Sequence, residues 1–507
     1  MLTISRRHFI AGGLTLGGLA MTPGARAGSI GTELVIGTRV IEVKGKAATV
    51  FSLTQHGAAA HGLTMNAGEH LRLRLGNESG EAALIHWHGL TPPNAQDGVP
   101  GVTQPLLAAG KSYEYDFPVA LPGTNWMHSH HSLQEQRMMA APLIVRDPRE
   151  AGDDVQEIVI MLHDFTFRDP AEILAELSKG MAHGSMDHGG AATDQSSMDH
   201  AAMGHDMSGM DMPSMNMPSM NMPGMDMSGG ATAMGGMDLN DVTYDAFLAN
   251  DRTLDDPEIV RVEKGQRLRL RIINGAAATN FVVDLGALGG ELRHVDGRPI
   301  EPVAGSRFPL AIAQRADIFV TLPAGAGAWP ILFQREGDVA LTGLVLATKD
   351  GTVPKIADRA HHAIGAIDRE LPMLYRAMEP LPQRPGQPVA DRKLTVALTG
   401  SMMTYQWGVA DSTAPAPNIP VKAGERVEIE LVNRTAMSHP MHLHGHHFQI
   451  VAVNGNRVSG AVRDTELVPI GGRVTIAFDA GNSGRWMFHC HNLYHMLSGM
   501  MTEVAYL

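Results

Sequence analysis

KAGERVEI, at residues 422–429, says most about the fold of this 507-residue chain, because two related segments precede it. They are NAGEHLRL at residues 66–73 and EKGQRLRL at residues 263–270. In each segment a glycine leads into an alternating apolar and polar run, which is typical of a half-buried β-strand. One strand-turn unit therefore occurs three times, and each copy ends at an asparagine, namely Asn77, Asn274 and Asn433.

The rest of the chain consists mainly of short β-branched or alternating runs separated by Gly, Pro, Asn and Asp, which predicts an all-β fold of sandwich domains. A chain of this length needs about two to four domains, and the repeat favours three. We expect domain one at residues 28–150, domain two at 151–350 and domain three at 351–507. The third domain begins with a proline-rich connector at residues 372–388.

The formal net charge is −13 at pH 7. No stripe of basic side chains is available to follow a phosphate backbone, which argues against a nucleic-acid partner. The same acidic balance argues against attraction to an anionic membrane surface.

Residues 1–27 have the features of a twin-arginine export signal. Arg6 and Arg7 precede a short apolar run at residues 10–21, and ARA at residues 25–27 is a cleavage site of the A-x-A type. The alternative is a membrane anchor, but a span needs about 20 apolar residues, and this shorter run contains four glycines. We therefore expect export to the periplasm by the twin-arginine machinery, without a stable membrane anchor.

Residues 181–237 form a low-complexity tract with 15 methionines among Gly, Ser, Asp, His, Pro and Ala. The tract shows no helical or strand periodicity and has few large side chains that could form a core. We interpret it as a disordered Met-rich insert in domain two.

Histidines form four short clusters. A single H-x-H pair is more often two ordinary histidines of one strand than a metal site, but four pairs, one of them around the only cysteine, are not explained that way. Two histidines, a cysteine and a distant methionine are typical of a blue-copper site, whereas zinc gains nothing from a weak thioether. The clusters are HWHG at residues 86–89, HSH at 128–130, HPMHLHG at 439–445, and HCH at 489–491 with His495 and Met500 beyond it.

Strand geometry divides these side chains between two centres. Successive side chains of a strand point to opposite faces, so His489 and His491 face one way and Cys490 the other. The same parity separates the first histidine of HPMHLHG from the other two. The tripeptide HCH therefore contacts two metal centres, and the short covalent path between them can carry an electron. The four histidines of domain one bring the second centre to eight imidazoles, enough for three copper ions.

The clusters resemble the motifs of the multicopper oxidases, which include laccases, ascorbate oxidase, and the bacterial cuprous and copper-resistance oxidases. Those motifs are HxHG, HxH, HxxHxHG and HCHxxxHxxxxM, and all four match without gaps. The resemblance implies three cupredoxin-like Greek-key sandwiches and four copper ions. It implies a type 1 copper on His439, Cys490, His495 and Met500, a type 2 copper on His86 and His442, and a binuclear type 3 pair on His88, His128, His130, His444, His489 and His491.

The resemblance also suggests roles for two carboxylates. Asp97 resembles an acid that lies near the three-copper cluster and helps to deliver protons. Asp464 matches a segment that lies near the type 1 copper and can meet the substrate. For each, the alternative is an aspartate that caps a turn. One departure concerns Met496, because some cuprous oxidases carry a glutamate at this position, and a proton path through it is in doubt.

Three functions fit these features. The first is oxidation of Cu(I), coupled to reduction of O2 to water, in copper tolerance; the Met-rich insert looks most like the periplasmic oxidases of this kind. The second is a laccase that acts on phenols and other small aromatic reductants. The third is a copper-binding or storage protein, for which the joined HCH segment is unnecessary. Two-domain copper nitrite reductases match less well, because they lack a type 3 pair.

Overall fold

A computed structural model of the chain describes residues 32–56, 61–179, 239–370, 374–411 and 418–507. These residues form six β-sheets, two in each of three sandwiches, and the predicted all-β fold is confirmed. The expected export signal and Met-rich insert lie outside the described residues, and the domain limits stay a prediction. No helix among the described residues has the length and apolarity needed to cross a membrane.

The first sandwich is built from eight strands. They are β1 (Thr32–Val43), β2 (Lys46–Gln55), β3 (Leu63–Asn66), β4 (His70–Asn77), β5 (Ile85–His88), β6 (Ser112–Pro118), β7 (Gly123–Ser129) and β8 (Ala140–Arg146). One sheet has the order β2-β1-β4-β6, and the other has the order β3-β8-β7-β5.

The second sandwich contains eleven strands and one helix. They are β9 (Gln156–Phe165), α1 (Pro170–Ser178), β10 (Ala246–Ala249), β11 (Ile259–Arg261), β12 (Arg267–Asn274), β13 (Phe281–Asp284), β14 (Gly290–Val295), β15 (Arg298–Gly305), β16 (Arg307–Leu310), β17 (Arg315–Thr321), β18 (Ala328–Arg335) and β19 (Leu341–Ala347). Its sheets have the orders β10-β9-β12-β17-β14-β15 and β11-β19-β18-β13-β16.

The third sandwich follows a short helix, α2 (Ile367–Glu370). Its elements are β20 (Arg392–Ser401), β21 (Gln406–Asp411), β22 (Ile419–Val421), β23 (Arg426–Asn433), β24 (His439–Leu443), β25 (Phe448–Val453), β26 (Asn456–Arg457), β27 (Val462–Arg463), β28 (Thr465–Val468), β29 (Arg473–Asp479), β30 (Arg485–Cys490), α3 (Leu493–Leu497) and β31 (Met501–Tyr506). One sheet has the order β21-β20-β23-β29-β25-β26, with β27 beside β25, and the other has the order β22-β31-β30-β24-β28.

The repeated segments form equivalent strands in the three sandwiches. β4, β12 and β23 each pair parallel to the first strand of their sandwich and antiparallel to a later one. The closing asparagines Asn77, Asn274 and Asn433 are buried and donate from the side-chain amide to carbonyls of the following turn. Each also accepts, through its side-chain oxygen, the N–H of the residue two positions later. The internal repeat is therefore present at the level of single hydrogen bonds.

Candidate metal centre

The histidine-bearing strands of the first and third sandwiches meet at one place. Within the first sandwich, His86 on β5 lies opposite His128 on β7. Within the third, His442 on β24 lies opposite His489 on β30. The two sheets face each other so closely that Nε2 of His442 lies 3.4 Å from Nε2 of His86. Eight histidines, in two sets of four that are hundreds of residues apart in the sequence, therefore share one buried site.

Their inward nitrogens form three groups. The first is the pair His86 and His442. In the second, Nε2 of His489 lies 3.3 Å from Nε2 of His130 and 3.1 Å from Nε2 of His444. The third joins His128 and His491, whose Nε2 atoms are 3.4 Å apart, with the ring of His88 beside both.

The outward nitrogens show which ring atoms carry protons. Nδ1 of His86 donates to the carbonyl of Asp97 at 2.9 Å, and Nδ1 of His442 donates to the carbonyl of Asp464 at 2.8 Å. A carbonyl can only accept, so Nδ1 of each ring carries a proton, and Nε2 has a lone pair in the form of the ring that binds a metal. Lone pairs that face each other at hydrogen-bond distance, with no proton between them, need a cation.

Protonated histidines do not supply that cation. Burial, together with the neighbouring imidazoles, lowers the pKa of His88, His442 and His444 well below the ordinary value, and burial lowers the pKa of His489 to about 3. Neutral imidazole is the form that binds a metal. The donor set therefore fits copper, which imidazole ligands suit.

His88 is turned the other way. Its Nε2 lies 3.0 Å from Oδ1 of Asp464, and its Nδ1 is buried without a hydrogen-bond partner among the described residues. In this residue Nδ1 therefore faces the shared site.

A second, sulfur-containing site lies on the opposite face of β30. Nδ1 of His439 and Nδ1 of His495 each lie 3.8 Å from Sγ of Cys490 and 3.2 Å from each other. Burial raises the pKa of the Cys490 thiol, so a thiolate here needs a bound cation. Met500 is fully buried in the same core as Cys490, whereas Met501 is 43% exposed, which favours Met500 as the fourth ligand.

The outward nitrogens of the two histidines at Cys490 also contact side-chain oxygens. Nε2 of His439 lies 2.6 Å from Oγ1 of Thr435, in the turn that Asn433 organises. Nε2 of His495 lies 2.7 Å from Oδ2 of Asp241, and the indole ring of Trp407 stacks on the His495 imidazole at 4.1 Å.

The two carboxylates singled out from the sequence both lie at the eight-histidine site. Asp97 is fully buried, and its Oδ2 lies 2.8 Å from Nδ1 of His444. Asp464, which we expected near the cysteine site, lies beside His88 of the eight-histidine site instead. Its side chain is buried, contacts His88 and forms a bidentate ion pair with Arg315, so a substrate in solvent cannot reach it.

Sequence reasoning missed two further carboxylates. Oε2 of Glu135 lies 3.0 Å from Nδ1 of His128, and Oε1 lies 3.6 Å from Nδ1 of His491. Asp241 holds His495, as described above. The only local signal for Glu135 is the polar triplet QEQ at residues 134–136, which follows HSH closely. The signal near Asp241 is the end of the Met-rich tract at residue 237.

Comparison with known proteins agrees with this geometry. Sequence models of the multicopper oxidase family match residues 38–150, 216–350 and 387–507. Multicopper oxidase MmcO of Mycobacterium tuberculosis is 30% identical over 457 residues, which cover 87% of this chain and 80% of that protein. A copper resistance protein A homolog of Pseudomonas syringae pv. tomato is 27% identical, with 99% and 98% coverage. The crystal structure of a laccase from Botrytis aclada shares the fold, with a TM-score of 0.68, 20% identity, and coverage of 93% of this chain and 87% of that one.

The family models between them span most of the chain, and the two groups of histidines lie in the first and last of the matched segments. Copper is the cofactor of the family, and the two buried sites have donor sets that suit it. The chain therefore belongs to the multicopper oxidases, which are copper-dependent oxidoreductases.

Proposed function

We propose that this enzyme oxidises Cu(I), one electron at a time, and reduces O2 to water in copper tolerance. The observation that carries the choice of Cu(I) is that Asp241, on the described segment that follows the Met-rich tract, contacts His495 of the cysteine site. The copper ions, when bound, supply one-electron transfer from the substrate and the reduction of oxygen.

We assign the ligands from the inward nitrogens. The sulfur site, with His439, Cys490, His495 and Met500, would hold the type 1 copper, and His86 with His442 would hold the type 2 copper. The remaining two groups would hold the type 3 pair: His130, His444 and His489 on one ion, and His88, His128 and His491 on the other. The peptide from His489 to His491 then joins the two sites covalently. Asp97, which holds His86 and His444, is well placed to supply protons there.

The ends of the Met-rich tract support Cu(I) as the substrate. Ile173, on the helix before the tract, and Val242, just after it, belong to the same buried core as Cys490 and Met500. Asp241, two residues after the described segment resumes at 239, contacts His495 directly. Thioether sulfur selects Cu(I), so a methionine tract that ends a few residues before Asp241 favours a cuprous substrate. A role in copper tolerance is also consistent with the similarity to a copper resistance protein A homolog.

The covering of the type 1 site disfavours a large aromatic reductant. His495 is fully buried, and its outer nitrogen is closed by the carboxylate of Asp241, whose side chain is also fully buried. A phenol therefore has no open imidazole edge to stack against. The laccase relatives keep aromatic oxidation as the alternative substrate class. A storage role fits less well, because the HCH strand joins two sites that storage would not need to connect.

The cellular location completes the proposal. We propose that residues 1–27 direct twin-arginine export and that the enzyme works in the periplasm, where O2 and Cu(I) would be its partners. The RR motif and the A-x-A site support this location.

Deletion of residues 181–237 tests the choice of substrate. We expect slower Cu(I) oxidation at limiting copper, with oxidation of a bulky phenol not lowered, because a phenol does not use thioether ligands. Oxygen uptake by the copper-loaded enzyme, with each substrate in turn, measures both. Equal loss of both activities, or unchanged Cu(I) kinetics, would contradict a copper-gathering tract.

Two variants test the ligand assignment. Cys490→Ser should remove the blue absorption and substrate oxidation while leaving the β-fold, because the charge transfer that gives the colour requires the sulfur. His88→Ala, or His444→Ala, should abolish oxygen reduction while keeping the blue absorption. A blue, active Cys490→Ser enzyme would show that the type 1 assignment is wrong, and full oxygen reduction in His88→Ala would show that the cluster assignment is wrong.

A further inference from the structure

The second sandwich provides none of the proposed ligands, yet one of its side chains contacts a carboxylate at the eight-histidine site. Arg315, the first residue of β17, is fully buried, although a guanidinium is always charged. A buried charge of this kind needs partners on every side, and those partners come from all three sandwiches.

The contacts of Arg315 define its position closely. Nε donates to the carbonyl of Thr124, in the first sandwich, at 3.1 Å. Nη1 donates to Oδ1 of Asp464, in the third sandwich, at 2.7 Å, and Nη2 donates to Oδ2 of the same carboxylate. Nη1 also donates to the carbonyl of Ala313, in its own sandwich, at 3.1 Å. This bidentate geometry holds the carboxylate plane in one orientation.

Asp464 transmits that orientation to two histidines. Oδ1, already held by Arg315, accepts from Nε2 of His88 at 3.0 Å, and the backbone carbonyl of Asp464 accepts from Nδ1 of His442 at 2.8 Å. A carboxylate paired with a guanidinium can only accept a hydrogen bond. Nε2 of His88 must therefore carry the proton, and Nδ1 is left with its lone pair toward the metal.

The glycine of the HWHG motif agrees with this arrangement. A Cβ added to Gly89 would lie 2.7 Å from Nη2 of Arg315 and 2.3 Å from Oδ1 of Asn125. The φ of Gly89 is +92°, a conformation that side chains rarely adopt. The residue after His88 is therefore a glycine where the guanidinium passes.

We infer that Arg315 is a positioning residue for the oxygen-reducing centre, which acts through Asp464 to set the nitrogen that His88 presents to copper. This role gives the ligand-free second sandwich a part in the chemistry. It rests on the proposed assignment of His88 as a ligand.

The test compares Arg315 with a matched arginine. Arg463 is equally buried and, like Arg315, pairs with Asp296. Its other partner is Glu466, and neither of these carboxylates contacts a histidine among the described residues. Arg315→Met, Arg315→Lys, Arg463→Met and His88→Ala would be loaded with copper. Copper per chain, the blue absorption and oxygen uptake would then be measured for each.

For Arg315→Met we expect a loss of about 10- to 100-fold in copper affinity of the cluster or in oxygen reduction, as is usual when a group behind a ligand is removed. The blue absorption should persist. Arg315→Lys should recover only part of the loss, because an ammonium cannot hold both carboxylate oxygens. Arg463→Met should lower the melting temperature but keep copper content and turnover.

The outcomes distinguish the assignment of His88 as a copper ligand from the positioning role of Arg315. If His88→Ala keeps all its copper, the ligand assignment fails. The inference about Arg315 fails if His88→Ala loses copper while both Arg315 variants keep their copper and turn over normally. It also fails if Arg463→Met loses cluster copper or oxygen reduction as selectively as Arg315→Met does. Should Arg315→Met not fold, Arg315→Lys alone decides: selective loss at the cluster supports the role, and wild-type copper content with normal turnover overturns it.

Discussion

At the scale of single residues, each metal centre depends on the oxygens behind its histidines. Four carboxylates contact ring nitrogens that face away from a metal centre. Three lie at the eight-histidine site, namely Asp97, Glu135 and Asp464, and the fourth, Asp241, lies at the cysteine site. Such a contact fixes both the orientation of the ring and the nitrogen that carries its proton. These carboxylates come from separate loops and strands, so the ligand geometry depends on residues outside the four motifs.

Glu135 provides a direct test of this dependence. Glu135→Gln keeps the size of the side chain but replaces one of the two oxygens that lie near Nδ1 of His128 and Nδ1 of His491 with an NH2 group. We expect about 10- to 100-fold weaker copper binding at the cluster or slower oxygen reduction, measured as copper retained during dialysis and as oxygen uptake. The blue absorption should not change.

Asp241→Asn is the reciprocal control for Glu135→Gln. Removal of a negative charge beside His495 should disfavour Cu(II) relative to Cu(I), so the reduction potential of the type 1 site should rise, as followed by redox titration of the blue colour. Copper content of the cluster should stay at the wild-type value. If Glu135→Gln changed the blue site and Asp241→Asn changed the cluster, the separation of the two sets of supporting residues would be wrong.

At the scale of elements, the strand parity of HCH could be predicted from the sequence because it depends only on the alternation of side chains along β30. The positions of His495 and Met500 followed from the short turn after that strand. Asp464 could not be placed in this way, because it lies between β27 and β28 and its partner His88 is 376 residues away. Glu135 and Arg315 likewise reach the site through tertiary contacts that leave no local pattern.

The turn after β5 is a second element whose geometry matters. Gly98 has φ of +88°, and a Cβ there would lie 1.9 Å from the carbonyl oxygen of Ile85, next to His86 and Asp97. Gly98→Ala should therefore move the backbone that carries these two residues. We expect a lower free energy of unfolding and loss of cluster copper.

Gly101→Ala is the control for that turn. Gly101 has a similar φ of +75°, but nothing lies within 4 Å of an added Cβ. Gly101→Ala should lower the free energy of unfolding only by the backbone strain, about 1–2 kcal/mol, and should leave the copper content unchanged. Denaturant unfolding and metal analysis measure the two variants, and an equal effect of both would contradict the steric explanation.

At the scale of the whole molecule, a buried ionic network joins the first two sandwiches. Oδ1 of Asp317, in the second sandwich, accepts from Thr124 of the first at 2.6 Å, and Oδ2 pairs with Arg269 at 2.6 Å and Arg271 at 3.3 Å. Thr124 is also the residue whose carbonyl holds Arg315. The network therefore ties the domain interface to the support of the metal centre.

The pKa of Asp317 gives this interface a pH dependence. Burial opposes ionisation of the carboxyl, but the charges of Arg269 and Arg271 outweigh it and lower the pKa to about 2. The pKa of an aspartate in the unfolded chain is about 3.9. The ion pairs of Asp317 with the two arginines therefore stabilise the folded state above pH ~4, by about 2.6 kcal/mol for a shift of this size. This contribution is lost as the pH falls toward 2.

Asp317→Asn tests that contribution. We expect the variant to be less stable at neutral pH by about 3–5 kcal/mol, because two buried guanidinium groups lose a partner. Its deficit relative to wild type should shrink between pH ~4 and ~2, as measured by denaturant unfolding. Asp350→Asn, which breaks the exposed pair with Lys264 at 3.4 Å, should cost at most about 1 kcal/mol. A deficit for Asp317→Asn that did not change with pH would contradict the pKa assignment.

The division of the copper cluster between the first and third sandwiches also imposes an order on biosynthesis. His130 and His489 lie 359 residues apart, so a ribosome working at roughly 5–20 residues per second needs roughly 20–70 s to pass from one to the other. During that interval the nascent first domain carries four imidazoles without their partners, and imidazole also suits zinc, nickel and iron. With this ligand assignment, copper can complete the cluster only after β30 has been synthesised and has docked on the first domain.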